Sequence, residues 1–149
     1  MYLGKKYKVQ TYIPFDGEIE NSKIMFVLDG SSFLNHRLSP FSFPITPILD
    51  RLFFEKKIPQ LIFAFIDPAI NGPGYPHYGG TDNRSLEYDT ASVDYANFLT
   101  NKIIPALRTR FNISDHPDDR GIMGASSGGV AALAWPGIGP ISLEKSYQR

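Results

Sequence analysis

Gly121-Ile122-Met123-Gly124-Ala125-Ser126-Ser127-Gly128-Gly129-Val130-Ala131-Ala132-Leu133-Ala134 is the stretch that decides the fold. Its first three residues read as a short strand, and its last six are small and helix-compatible. Between them, Gly-x-Ser-x-Gly from Gly124 to Gly128 has the spacing of a nucleophile elbow. That turn passes a strand sharply into a helix and leaves a serine hydroxyl standing above the sheet edge. The serine must take strained backbone angles, and glycines flank it because a side chain there would crowd the turn. Strand, tight turn and helix in immediate succession predict an α/β layer fold.

Working outward, Lys23 to Leu28 and Leu61 to Ile66 are short runs that are apolar on both faces. They predict central parallel strands covered by helices. The first is closed by Asp29-Gly30 and the second by Asp67-Pro68. Tyr7 to Pro14 alternates and is rich in β-formers, so it reads as a further strand. Asp16-Gly17 through Asn21-Ser22 reads as a turn, and Gly30 to Phe43 as a loop. Thr46-Pro47 opens a helix, with Thr46 as N-cap, Pro47 at the first helical position, Lys56-Lys57 suited to its end and Pro59 as its stop. Ile48, Leu49, Leu52 and Phe53 are its apolar stripe.

Ala69 to Ser85 reads as a long loop rich in glycine and proline, of a length often reserved for function. Asp89 or Thr90 is expected to cap the next helix, whose buried face is Tyr95, Phe98, Leu99, Ile103 and Leu107. Pro105 falls inside that pattern and predicts a kink or a break nearby. Asn112 to Asp119 reads as a polar turn leading into the elbow strand. Trp135 fits no element.

The chain has 149 residues, enough for one domain with a real core. Lysine plus arginine and aspartate plus glutamate balance at 15 each, which argues against a nucleic-acid partner needing a basic face. There is no cysteine, so disulfides, thiolate metal sites and a cysteine nucleophile are excluded. No apolar run reaches the roughly 20 residues that span a bilayer. The first residues lack the apolar segment of a signal peptide. The expectation is a cytoplasmic protein with no membrane partner.

The chemistry centres on Ser126. A serine hydroxyl is a weak nucleophile until a base accepts its proton. In an elbow the N–H of the following residue, here Ser127, serves as one oxyanion donor, and a second comes from the loop after an earlier strand. That loop begins Asp29-Gly30-Ser31-Ser32 here. The stretch lacks the lysine of a phosphate-binding P-loop, and its glycines are wrongly spaced for a dinucleotide site. His36, His77 and His116 all precede Ser126, whereas the elbow order runs serine, acid, histidine. His36 and His77 are candidates for substrate contact, and His116 for a solvated turn residue. Arg84 and Glu87 belong to a charged cluster that reads either as a helix start or as a substrate-binding group beside the pocket. Asp115, Asp118 and Asp119 read as turn hydrogen-bonders. No metal or organic cofactor is implied.

These residues resemble the esterases related to enterochelin esterase and to esterase D (S-formylglutathione hydrolase). The matching pieces are Val27-Leu28-Asp29-Gly30-Ser31, Asn83-Arg84-Ser85-Leu86-Glu87-Tyr88-Asp89, and Tyr95 through Gly129. The likeness covers about Tyr7 to Ala134. It implies an α/β-hydrolase-like three-layer sandwich with a mostly parallel central sheet. It also implies hydrolysis of a small-molecule carboxylic ester through an acyl-serine intermediate on Ser126. Ser127 and Ser31 would offer the oxyanion N–H groups.

Members of that family continue with further strands that carry the acid and the histidine. Residues 1–135 are therefore expected to be the N-terminal portion of an α/β-hydrolase domain, incomplete at its C-terminus. Pro136 to Arg149 has neither helical nor strand periodicity. Back-translated from each third base, Gly139 to Arg149 permits Pro-Asp-Leu-Phe-Arg-Lys-Val-Leu-Ser-Ala, the kind of sequence that follows the elbow helix in the family. The tail is accordingly expected to be a frameshifted reading of a longer esterase gene, which sequencing the locus tests. A weak or inactive esterase is the first expectation. A non-catalytic fragment or binding module, and then an acyltransferase, are the alternatives.

Overall fold

The computed structural model describes residues 7–14, 20–34, 43–69, 84–90 and 92–135. Among them, β1 (Val9–Tyr12), β2 (Lys23–Leu28), β3 (Leu61–Ile66) and β4 (Arg120–Met123) form one sheet in the order β1-β3-β2-β4. β2 is parallel to both β3 and β4, and β1 runs antiparallel to β3. The two runs that are apolar on both faces are the two central strands, as expected of strands covered from both sides.

Side-chain alternation divides the core in two. Ile24, Phe26 and Leu28 of β2, with Ile62, Ala64 and Ile66 of β3, face one layer. That layer holds α3 (Arg84–Tyr88), α4 (Val93–Phe98), α5 (Ile104–Arg108) and α6 (Ser127–Leu133). Val27, Leu61, Phe63 and Phe65 face the other, with α1 (Gly30–Leu34) and α2 (Thr46–Phe54). The result is a three-layer α/β/α sandwich with a mostly parallel sheet.

Tyr95, Phe98, Leu99, Ile103 and Leu107 are all buried, as their spacing predicts. Pro105 has no N–H to donate and its ring crowds the preceding turn. The chain answers by widening into a π-helical turn over Leu99–Ile103, so that Pro105 enters at the start of α5. Trp135, unplaced by its sequence context, is buried with its ring 5.6 Å from that of Phe26.

Four local expectations change. The loop predicted from Gly30 begins instead with the short helix α1, because Gly30 sits where a Cβ would lie 2.6 Å from Phe65 Cβ and lets the chain fold back onto β3. Helix α2 starts at Thr46, but Ile45 is the cap residue and no side chain caps it. It closes at Lys56-Lys57, the pair expected at its end, and Pro59 is not what stops it. Lys56 takes φ 57°, with Lys57 N–H donating to Leu52 O and Lys56 N–H to Phe53 O, the pairing that closes a helix through a left-handed residue. The helix expected to be capped by Asp89 or Thr90 is capped by Ser92, whose Oγ accepts from Asp94 N–H at 3.1 Å. Asp16-Gly17 and the tail from Pro136 lie outside the described residues.

Candidate active site

Sheet topology gathers the site. From β2 the chain crosses to β3 through α1 and α2 on one face, whereas β3 leads to β4 through α3 to α5 on the other. β2 and β4 are neighbours whose following segments therefore diverge, and the crevice at such a reversal, outside the carboxyl ends of parallel strands, is where ligands bind in open α/β sheets. Register places the ends side by side: Val27 is opposite Met123 and Leu28 opposite Ile66. Asp29, Asp67 and the turn after Met123 thus share one edge.

Ser126 occupies that edge at φ 54° and ψ −124°, an angle pair that non-glycine residues rarely adopt. It is exposed, and its hydroxyl makes no hydrogen bond among the described residues. The turn is as tight as the motif requires. A Cβ on Gly124 would lie 2.5 Å from Gly128 C and O. Gly128 N–H donates to Ala125 O, and the N–H groups of Gly129 and Val130 both reach Ser126 O. Ser127 opens α6, and its N–H finds no acceptor among the described residues.

Arg84 opens α3 and makes a two-pronged ion pair with Asp29, Nε to Oδ1 and Nη2 to Oδ2, both at 2.8 Å. Asp29 is 6 % exposed and itself sits at φ 55°. Its hydrogen bonds to Arg84 hold that guanidinium above its ordinary pKa. Arg84 also lies 5.6 Å above the Tyr88 ring, and the Tyr88 hydroxyl accepts from Asp29 N–H. Burial pushes the Tyr88 and Tyr95 phenols well above their usual range.

Two expected site residues are corrected. Glu87, a substrate-binding candidate, is 2 % exposed; it accepts from the Tyr7 hydroxyl at 2.9 Å and from Ala69 N–H at 3.1 Å, so it ties β1 and the end of β3 to α3. Ser31, a candidate oxyanion donor, gives its N–H to Asp67 Oδ1 at 2.9 Å and its hydroxyl to Asp67 Oδ2, so the donor is already engaged. His36 and His77 lie outside the described residues. His116 is exposed at the amino end of β4, the opposite end from Ser126, and its Nδ1 accepts from Asp118 N–H. Asp119 accepts from the Ser114 hydroxyl, a turn bond of the expected kind.

Two residues at this edge were not singled out by sequence reasoning: Asp67 was read only as a strand end, and Asp29 only as a strand end and the start of the donor loop. Their signal is positional: each is an aspartate directly after an unbroken run of five or six apolar residues. An open groove of about 550 Å³ lined by Arg108, Phe111, Ile113 and Asp115 lies near the amino ends of the strands, away from this edge. Among the described residues no three metal-ligating side chains come together, and no helix is long and apolar enough to cross a membrane.

The family model described as "Putative esterase" matches residues 1–135. The chain belongs to the putative esterase family. This esterase-family chain is 26 % identical over 134 residues to the uncharacterized protein YbbA of Bacillus subtilis (strain 168), covering 83 % of this chain and 50 % of the relative. Its fold is similar to that of ferric enterobactin esterase from Salmonella typhimurium, with a TM-score of 0.71 at 22 % identity over 91 % of this chain and 31 % of the other. The enterobactin esterase of Shigella flexneri, solved in the presence of enterobactin, gives a TM-score of 0.68 at 20 % identity over 89 % and 30 %. The chain therefore spans half the length of the bacillary relative and under a third of those enterobactin esterases.

Proposed function

We propose that this chain carries the nucleophile of a serine carboxylic-ester hydrolase acting on small-molecule esters. The observation that carries the reading is Ser126 itself, an exposed serine at φ 54° on a strand-to-helix turn at the carboxyl edge of a mostly parallel sheet. Ser126 Oγ would attack the ester carbonyl carbon. Its proton passes to a base and then to the departing alkoxide, the acyl C–O bond breaks, and water later releases the acid from the acyl-serine. The Ser127 N–H, which has no acceptor among the described residues, would donate to the oxyanion. Enterobactin, present with the Shigella relative, suggests siderophore-type esters among the substrates to try.

No described residue hydrogen-bonds to the Ser126 hydroxyl, so the base is not among them in contact. Enzymes of this kind stripped of a triad member keep roughly 10³–10⁴-fold catalysis over water. Little turnover of p-nitrophenyl acetate is expected from chain 1–149, with slow fluorophosphonate labelling that mass spectrometry assigns to Ser126 and that Ser126→Ala abolishes. Labelling that survives Ser126→Ala would sink the assignment. That no base touches Ser126 among the described residues also favours a second reading, a non-catalytic binding module; a folded chain that never labels at Ser126 would support that instead.

A further inference from the structure

We propose that the Asp29–Arg84 ion pair is a positioning clamp that sets the elbow turn against the loop after β2. The proposal rests on the reading of Ser126 as nucleophile for its purpose, but not for its geometry. One carboxylate joins three segments. Asp29 directly follows β2, Arg84 opens α3, and Asp29 Oδ2 lies only 3.3 Å from where a Cβ on Gly128 would be, against the first turn of α6. Arg84 Nη2 continues to Ala125 O at 3.4 Å, inside the elbow. Asp29 holds this place at a left-handed φ of 55°, a conformation aspartate adopts more readily than most residues.

A pair with one member this enclosed adds little net stability, because desolvation offsets attraction. What the pair supplies is direction. The guanidinium is planar and its fork matches a carboxylate in one orientation only. With the Tyr88 hydroxyl on Asp29 N–H, both the side chain and the backbone of Asp29 are held. The height of Ser126 above the sheet then depends on α3, a segment that is remote in sequence.

Amide hydrogen exchange on the full chain tests this without needing turnover. The reporters are the N–H groups of Gly128, Gly129 and Val130, which close the elbow. Arg84→Lys keeps the charge but loses the fork. Asp29→Asn keeps the shape, and asparagine tolerates the left-handed φ. Both are expected to speed exchange at those amides by about tenfold while the β2–β3 ladder keeps wild-type protection. Wild-type exchange at the elbow in both variants, or equal acceleration of the ladder, overturns the clamp. Fluorophosphonate labelling at Ser126 should slow in the same variants. Absence of labelling in the unmodified chain would fail the hydrolase reading alone and leave the exchange result standing.

Discussion

Ser126 takes its strained angles inside a turn whose flanking glycines, Gly124 and Gly128, pack against each other. The Gly124 Cα hydrogen faces the carbonyl of Gly128, a backbone group that cannot rotate away, at a spacing where a Cβ would stand 2.5 Å off. At Gly128 the corresponding contact is milder, 3.3 Å to a carboxylate oxygen. Overpacking typically destabilises by about 1–3 kcal/mol, so Gly124→Ala is expected near the top of that range and Gly128→Ala near the bottom. Urea melts followed by the fluorescence of the sole tryptophan, Trp135, measure both. Equal losses would mean that the turn is looser than drawn. The glycine requirement was legible in the motif. The enclosure of Glu87 was not, since Tyr7 and Ala69 reach it from 80 and 18 residues away.

At the level of elements, β4 and α6, which flank the elbow, each keep an open side. Among the described residues β4 pairs only with β2, all four of its residues are half-buried, and its outer edge has no partner. On α6, Leu133 is 90 % exposed, while Ala131 of the same helix is buried. An open strand edge beside an exposed leucine is an aggregation hazard. Leu133→Lys should leave folding stability within about 0.5 kcal/mol of the parent. It should also lower light scattering on concentration. A clear fall in melting temperature would show that Leu133 packs against something. The helix through Pro105 teaches a related lesson: its apolar spacing and its break were both readable, yet the form of the break, a π-helical turn, depended on keeping Leu99, Ile103 and Ile104 in one core.

For the whole molecule, alkaline pH is the informative axis. Burial, then the Asp50 hydrogen bond and charge, raise Tyr12 to about 12. Tyr88 and Tyr95 are raised well above the ordinary value near 10, first by burial. A phenol whose folded pKa exceeds its unfolded one binds more protons when folded. Its contribution is therefore fully present below about pH 10 and is lost as pH rises through the folded value. Stability is predicted to fall steeply above pH 10. Of the eight tyrosines, Tyr88 and Tyr95 should show tyrosinate absorbance only as the chain unfolds. Full titration of all eight near pH 10 with circular dichroism unchanged would contradict their enclosure.

Local order determined much of this protein. Strand spans, the helical stripe and the elbow were readable because each depends on residues a few positions apart, where side-chain period and backbone freedom act directly. Tertiary structure alone decided which strand ends lie together, and so which charges meet. Arg84 finds Asp29 across 55 residues, and Ser31 finds Asp67 across 36. The sheet order β1-β3-β2-β4 sets those meetings through backbone pairing that any apolar strand could satisfy, so no local pattern encodes it.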